Sequence, residues 1–199
     1  MSNEIAGFGD HAVASMQANV MGHDSLGIEG FYRVECRDES GNLKWEETAP
    51  NLVVAVGKQL MLDTLLKGAA YSVVGPFLGL CSTTFTASAA DTMTSKGWTE
   101  FVNYTVSGSA VRGTAVFAVS TSSGTTPSNV TTSAAAGITY TITGAGGTVY
   151  GCFLVTGPGA VNTQSSTTGT LYSEVLFGTS KAVTAGDTVT VTYSTTATS

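Results

Sequence analysis

Charge is what this chain has least of. Only 11% of its 199 residues are Asp, Glu, Lys or Arg, against roughly 25% in an ordinary soluble domain. The few are unevenly placed. Five Lys/Arg and ten Asp/Glu fall in residues 1–67, three and four in residues 68–199, so the distal part must build its outer faces from Thr, Ser, Gly and Ala. A net charge of −6 and a pI near 4.7 leave no basic stripe to displace counterions from phosphates, which argues against a nucleic-acid partner. An apolar run of about 18 residues, the least that spans a membrane as a helix, is missing too. The first ten residues carry Glu4 and no basic region ahead of an apolar run, unlike an export signal.

Residues that do chemistry are equally scarce. The two histidines, His11 and His23, each stand beside an aspartate on the least patterned stretch of the chain, whereas a metal site needs ligands converging from rigid elements. Cys36, Cys81 and Cys152 are far apart, odd in number and without metal spacing. Each lies in an apolar strand pattern, which reads as a buried free thiol made in a reducing cytoplasm. The GLCST stretch around Cys81 lacks the strand–turn–helix context of a nucleophile elbow. Gly144, Gly146 and Gly147 are followed by a strand where a phosphate loop requires a helix, so they read as a hairpin turn. Glu46 and Glu47 sit at an exposed strand end, where solvated charge is the default. The expectation is a non-enzymatic protein that uses no metal or cofactor.

What is present is strand. Tyr32, Val34 and Cys36 alternate with Arg33, Glu35 and Arg37, the period-two pattern of a half-buried strand. Glu39–Asn42 is turn chemistry, and Leu43, Trp45 and Glu47 continue the return strand. Further strands are expected at 76–83, Trp98–Val106, Val111–Ser120, Ile138–Thr143, Thr148–Thr156, Leu171–Gly178 and Thr188–Thr195. Ile138–Thr143 and Thr148–Thr156 should pair across the glycine turn, and the last two strands should join through Thr184–Asp187. Residues 83–97, Thr121–Ser133 and Gly157–Gly169 read as loops, the first with a short helix at Ser88–Thr94. About nine strands at this spacing favour an antiparallel β-sandwich or jelly roll.

One helix interrupts them. In Asn51–Gly68 the residues Val53, Val56, Leu60, Met61, Leu65 and Leu66 recur near helical spacing, with Lys58, Gln59, Asp63 and Lys67 largely opposite. Asn51 is placed to cap it, and Gly68 to end it. A one-sided helix needs a sheet to cover, so Leu60 and Leu65 are expected in the core with Trp45, Phe77, Phe117, Phe153 and Tyr193. Leu65→Ala should then cost about 2–5 kcal/mol.

Residues 1–27 carry apolar side chains with no evident core of their own: Phe8, Val13, Met16, Val20 and Met21. They read as an extended N-terminal arm that binds a partner, against the plainer reading of a terminus without a role. The fold class is thus mainly β: an antiparallel, jelly-roll-like sandwich over residues 28–199, with one amphipathic helix at 52–67 and an arm.

Three stretches, NLKWEETAPNLVVAVGKQLMLD, ADTMTSKGWTEFVNYT and GTLYSEVLFGTSKAVTAGDTVTVTYS, resemble a family of small structural proteins of short-tailed bacteriophages. The resemblance spans about residues 28–199, and its motifs are architectural. It implies a capsid cement (decoration) protein, made in the host cytoplasm and resident on the virion. Its partners would be the major capsid protein and further copies of itself, as a dimer or trimer. The alternatives are a tail- or fibre-associated virion protein with receptor or carbohydrate binding, and a cellular adhesin or Ig-like module.

Overall fold

The alternation at Tyr32, Val34 and Cys36 is built as read. In a computed structural model that describes residues 27–67, 74–118, 121–123, 126–130 and 137–198, these three side chains are fully buried on one face of β1 (Gly27–Arg37). They stand opposite Tyr193, Val191 and Val189 of β13 (Thr188–Thr198), whose own period-two pattern supplies the matching face. β2 (Leu43–Pro50) pairs with the other edge of β1. The hairpin between them closes on Asp38, whose side chain accepts the Asn42 backbone N–H at 2.8 Å. The second edge of β13 is shared end to end by β10 (Ile138–Ile142) and β9 (Thr126–Val130). β6 (Tyr104–Thr105) and β8 (Thr121–Ser123) complete this first sheet.

The second sheet runs β3 (Leu52–Val53), β12 (Thr170–Val183), β11 (Gly147–Thr156), β4 (Phe77–Cys81), β5 (Glu100–Phe101), with β7 (Gly113–Thr114) sharing with β5 the edge of β4 that β11 leaves free. All pairings are antiparallel. β4 is buried on both faces, as its continuous apolar run implies. Face to face, the two sheets make a β-sandwich, and the one helix among the described residues, α1 (Ala55–Leu66), lies on β12. Hydroxyls bridge the layers. Tyr32 and Ser173 share a 2.8 Å hydrogen bond, and Tyr140 donates to the Leu78 carbonyl at 2.9 Å.

Several sequence expectations are corrected. The β10–β11 connection is not a hairpin, because the two strands belong to different sheets, and so do β12 and β13. The two crossing turns bind each other instead: Ile142 N–H donates to the Asp187 carbonyl at 2.8 Å, and Gly186 N–H to the Ile142 carbonyl at 3.0 Å. Gly146, at φ +71°, lies so close to Val183 that a Cβ would stand 2.2 Å from its carbonyl oxygen. Only glycine lets the turns approach this far.

Ser88–Thr94 forms turns without a helix, because Asp91 N–H returns to Ser88 O and Thr92 and Ser95 exchange backbone bonds. Among the described residues, the regions read as two long strands at 98–120 hold the short β5, β6 and β7, while β8 and β9 occupy part of the stretch read as loop. The described residues hold thirteen strands.

The helix starts later than expected and faces differently. Asn51 does not cap it. Its N–H donates to Gly30 O and its side-chain amide to Tyr193 Oη at 3.0 Å, while Val54 occupies the cap position without a side-chain bond. The first turn is satisfied from outside, by Val54 N–H to Tyr172 O and Ala55 N–H to Ala89 O. Gly57 seats α1 directly on β12, where a Cβ would fall 2.5 Å from Tyr172 O.

Gly57 and Leu60 are the helix's buried residues. Leu62, Leu65 and Leu66 are 48%, 72% and 77% exposed, so the placement of Leu65 in the core is overturned. Leu60, Phe153 and Tyr193 are buried as expected, and Trp45, Phe77 and Phe117 are half-buried. The stability consequence follows the seating. Leu60→Ala should cost about 2–5 kcal/mol and Leu65→Ala within about 0.5 kcal/mol by urea denaturation; equal losses would refute the observed helix face.

Candidate functional site

Chemistry on this surface has to be built from very little charge, because the distal charges turn inward. Residues 68–199 contain seven: Asp91, Lys96, Glu100, Arg112, Glu174, Lys181 and Asp187. Each is buried or half-buried. Glu100 and Arg112 form a bidentate ion pair with essentially no solvent contact, Nε to Oε1 at 2.9 Å and Nη2 to Oε2 at 2.6 Å. Arg112 also donates to the Val161 and Ser166 carbonyls, at 3.3 and 2.7 Å, and Ser165 N–H donates to Glu100 at 2.8 Å. The Gly157–Gly169 connection, read as a flexible loop, is therefore laced onto the pair.

Lys181 pairs with Glu47 at 2.8 Å and lies over the Trp45 ring. Lys44 bonds the buried Asp187 carboxylate. Burial alone would raise that carboxyl, but Lys44 and the Thr184 N–H bring it below its ordinary range. Both contacts tie the β1–β2 hairpin to the end of β12.

Glu174 is the least ordinary group. It is fully buried, accepts Trp98 Nε1–H at 2.7 Å and Ser88 N–H at 3.2 Å, and faces Asp91. Burial pushes its carboxyl up to about 7, with Asp91 adding to the rise and the Trp98 and Ser88 donors opposing it. Its bonds hold the loop after β4 beside the start of α1. Lys96, from the same loop, donates to Met93 O at 2.7 Å and lies over the Trp98 ring. With donors fixed on the carboxylate and no open face toward solvent, the group is built to hold a loop.

A further surface feature is apolar and lies at one end of the sandwich. A cavity of about 180 Å³ opens between the sheets, lined by Pro76, Phe117, Leu154, Tyr172 and Tyr193 with Thr156 and Thr195. Thr156 and Tyr172 also border a second hollow of about 200 Å³ beneath Leu60, Met61, Thr64 and Leu65 of α1. Beside it stand the exposed Leu62, Leu65 and Leu66. A contiguous apolar patch on a rigid domain marks an interaction surface, and this one is our candidate site.

The partner-binding residues expected from sequence, Phe8, Val13, Met16, Val20 and Met21, lie outside the described residues, as do His11 and His23. Among the described residues no three His, Cys, Asp or Glu side chains converge as a metal site, and no helix is long and apolar enough to cross a membrane. Cys36, Cys81 and Cys152 are buried free thiols. Burial holds all three above the usual thiol range, Cys36 at about 11, so none presents a ready thiolate. Gly144–Gly147 turns between the two sheets. Sequence reasoning missed Glu100, Arg112 and Glu174, yet a usable signal existed, since each is a lone charge inside an apolar strand segment of a charge-poor region.

A pH dependence follows from Glu174. Its carboxyl titrates higher in the fold than the ordinary 4.5, so the stability it contributes is complete below about 4.5 and is lost as pH rises through about 7. The urea midpoint should therefore fall from about pH 5 to about pH 8, and Glu174→Gln should flatten that fall. Identical slopes in both proteins would mean that Glu174 is ionised throughout.

Compared with protein-family models, curated proteins and solved structures, the chain matches none.

Proposed function

We propose that the chain is a non-enzymatic virion structural protein, a capsid cement or decoration protein that binds the major capsid protein and stabilises the head. The observation that carries this reading is the exposed Leu62, Leu65 and Leu66 on a helix locked to the sandwich by Gly57. Such side chains on a rigid element lose little freedom on docking and gain about 1.5–3 kcal/mol each if fully covered. The resemblance of three stretches to short-tailed phage head proteins supplies the partner. The inward-turned charges supply the mode, because a surface poor in free charge is suited to apolar, hydroxyl and main-chain contacts.

On a symmetric shell, many weak contacts of this kind act together. Self-association as a dimer or trimer on the shell, and contacts from Phe8, Val13, Met16, Val20 and Met21, belong to the same proposal. The protein would be made in the host cytoplasm and reside on the capsid surface, with no nucleic-acid or membrane partner.

The test uses undecorated heads from a phage lacking this gene. Replacing Leu62, Leu65 and Leu66 by Gln should weaken occupancy about 100-fold or more, the equivalent of about 3 kcal/mol. Raising the salt to about 1 M should leave wild-type occupancy nearly unchanged, since screening acts on charges. Unaltered binding by the triple variant, or stripping of the wild type by salt, would overturn the reading.

A further inference from the structure

Of the three cations in residues 74–198, two are neutralised and one is not. Arg112 is paired with Glu100 and Lys181 with Glu47, whereas among the described residues no carboxylate stands within ion-pair distance of the Lys96 ammonium. Lys96 is nonetheless held in place. It donates to Met93 O at 2.7 Å and lies 4.8 Å from the centre of the Trp98 ring, which itself stacks on Phe153 at 4.2 Å. An ammonium carries three donors, so two are left over. Burial, and after it the nearby Arg112, hold Lys96 below the ordinary lysine range, as expected of a cation that has lost water and gained no anion.

Lys96 lines a hollow of about 220 Å³ together with Trp98, Thr99, Glu100 and Ser165. The Glu100 carboxylate is already occupied by Arg112 and the Ser165 N–H. That pair is electrically neutral, so Lys96 leaves the hollow with one net positive charge. The Thr99 and Ser165 hydroxyls bond to no described protein group and add two more donors. Ser165 sits at φ +62°, a left-handed conformation uncommon for a residue with a Cβ. The 2.8 Å bond from its N–H to Glu100 holds it there, and strain of this kind gathers at ligand sites. The hollow is larger than the roughly 150 Å³ that admits benzene, so a single ring or a short chain fits.

We propose that this hollow binds a small hydroxylated carboxylate, a hydroxy acid or a single sugar acid, with its carboxylate on Lys96 Nζ and its hydroxyls on Ser165 and Thr99. One unneutralised positive charge matches a monoanion. A second negative charge would face Glu100 without compensation, which disfavours sulfate and the phosphate dianion. A charge-assisted bond to a half-buried ammonium supplies the strongest contact, and the hydroxyl lining selects a hydroxylated acid over an aliphatic one. The inference goes beyond the decoration reading and holds whether or not the protein meets a capsid, because the hollow shares no residue with the leucine row of α1 or the cavity between the sheets.

The test is a titration of the full-length protein with sodium glucuronate, followed by nitrogen–proton NMR at the indole N–H of Trp98, which points to Glu174, and of Trp45, which bonds Ala182 O and serves as the internal control. Sodium chloride of equal ionic strength, glucose, propionate and sodium sulfate are run beside it. The expected result is a saturable shift of the Trp98 signal with the Trp45 signal unmoved. Glucose lacks the carboxylate, propionate the hydroxyls, and sulfate carries the wrong charge, so each should bind more weakly than glucuronate. Lys96→Gln should weaken glucuronate binding about tenfold or more. Ser165→Gly removes the hydroxyl while keeping the left-handed backbone; it should also weaken binding, with the remaining spectrum showing the sandwich intact. A Trp98 response that is linear and shared with sodium chloride, one matched by glucose or sulfate, or glucuronate binding undiminished in both variants would each overturn the proposal.

Discussion

The Glu100–Arg112 pair is the constraint on which much of the second sheet depends. Burying two ions costs several kcal/mol each, and only close geometry and full hydrogen bonding offset it. Here every requirement is met: two charge-assisted bonds between the pair, two carbonyls on the guanidinium and a backbone N–H on the carboxylate. Arg112 also lies over the Phe153 ring. Replacing both ions by apolar side chains can be neutral in such sites, but removing one alone strands a charge, at about 3–5 kcal/mol. The pair therefore acts as a lock on β5, the Arg112 segment and the 157–169 connection together.

The lock also shapes the outside. With all seven distal charges engaged in or beside the interior, the described surface from residue 74 onward is built mainly of hydroxyls, methyls and backbone. Thr139 and Thr190 show the result, two strand neighbours on the outer face of the first sheet sharing a 3.2 Å hydroxyl contact. Meanwhile Gly57 and Leu60 are the residues of α1 that its seat on β12 buries. Leu62, Leu65 and Leu66, further along the helix, stay exposed. The apolar end is thus a consequence of how the helix is seated.

Much of this was legible in the sequence. Period-two alternation located β1, β2 and β13 and their buried faces, because the pleat leaves no other way to read it. The buried thiols and the single helix were equally readable. Partner choice among strands was not: Gly144–Gly147 and Thr184–Asp187 have the composition of hairpin turns, and nothing local distinguishes a turn within a sheet from one that crosses between sheets. Helical spacing of Leu60, Leu65 and Leu66 likewise says that an apolar face exists without saying what covers it. The ion pair was illegible as a pair, since Glu100 and Arg112 lie on separate short strand segments that only tertiary packing brings together.

In the decoration reading proposed above, the leucine row of α1, rather than the threonine face of the first sheet, is the main contact with the shell. A photoreactive phenylalanine analogue placed at Leu66, or in a separate protein at Thr139, tests this on decorated heads. The account predicts efficient crosslinking to the coat subunit from position 66 and little from position 139. Crosslinking from 139 with none from 66 would contradict it.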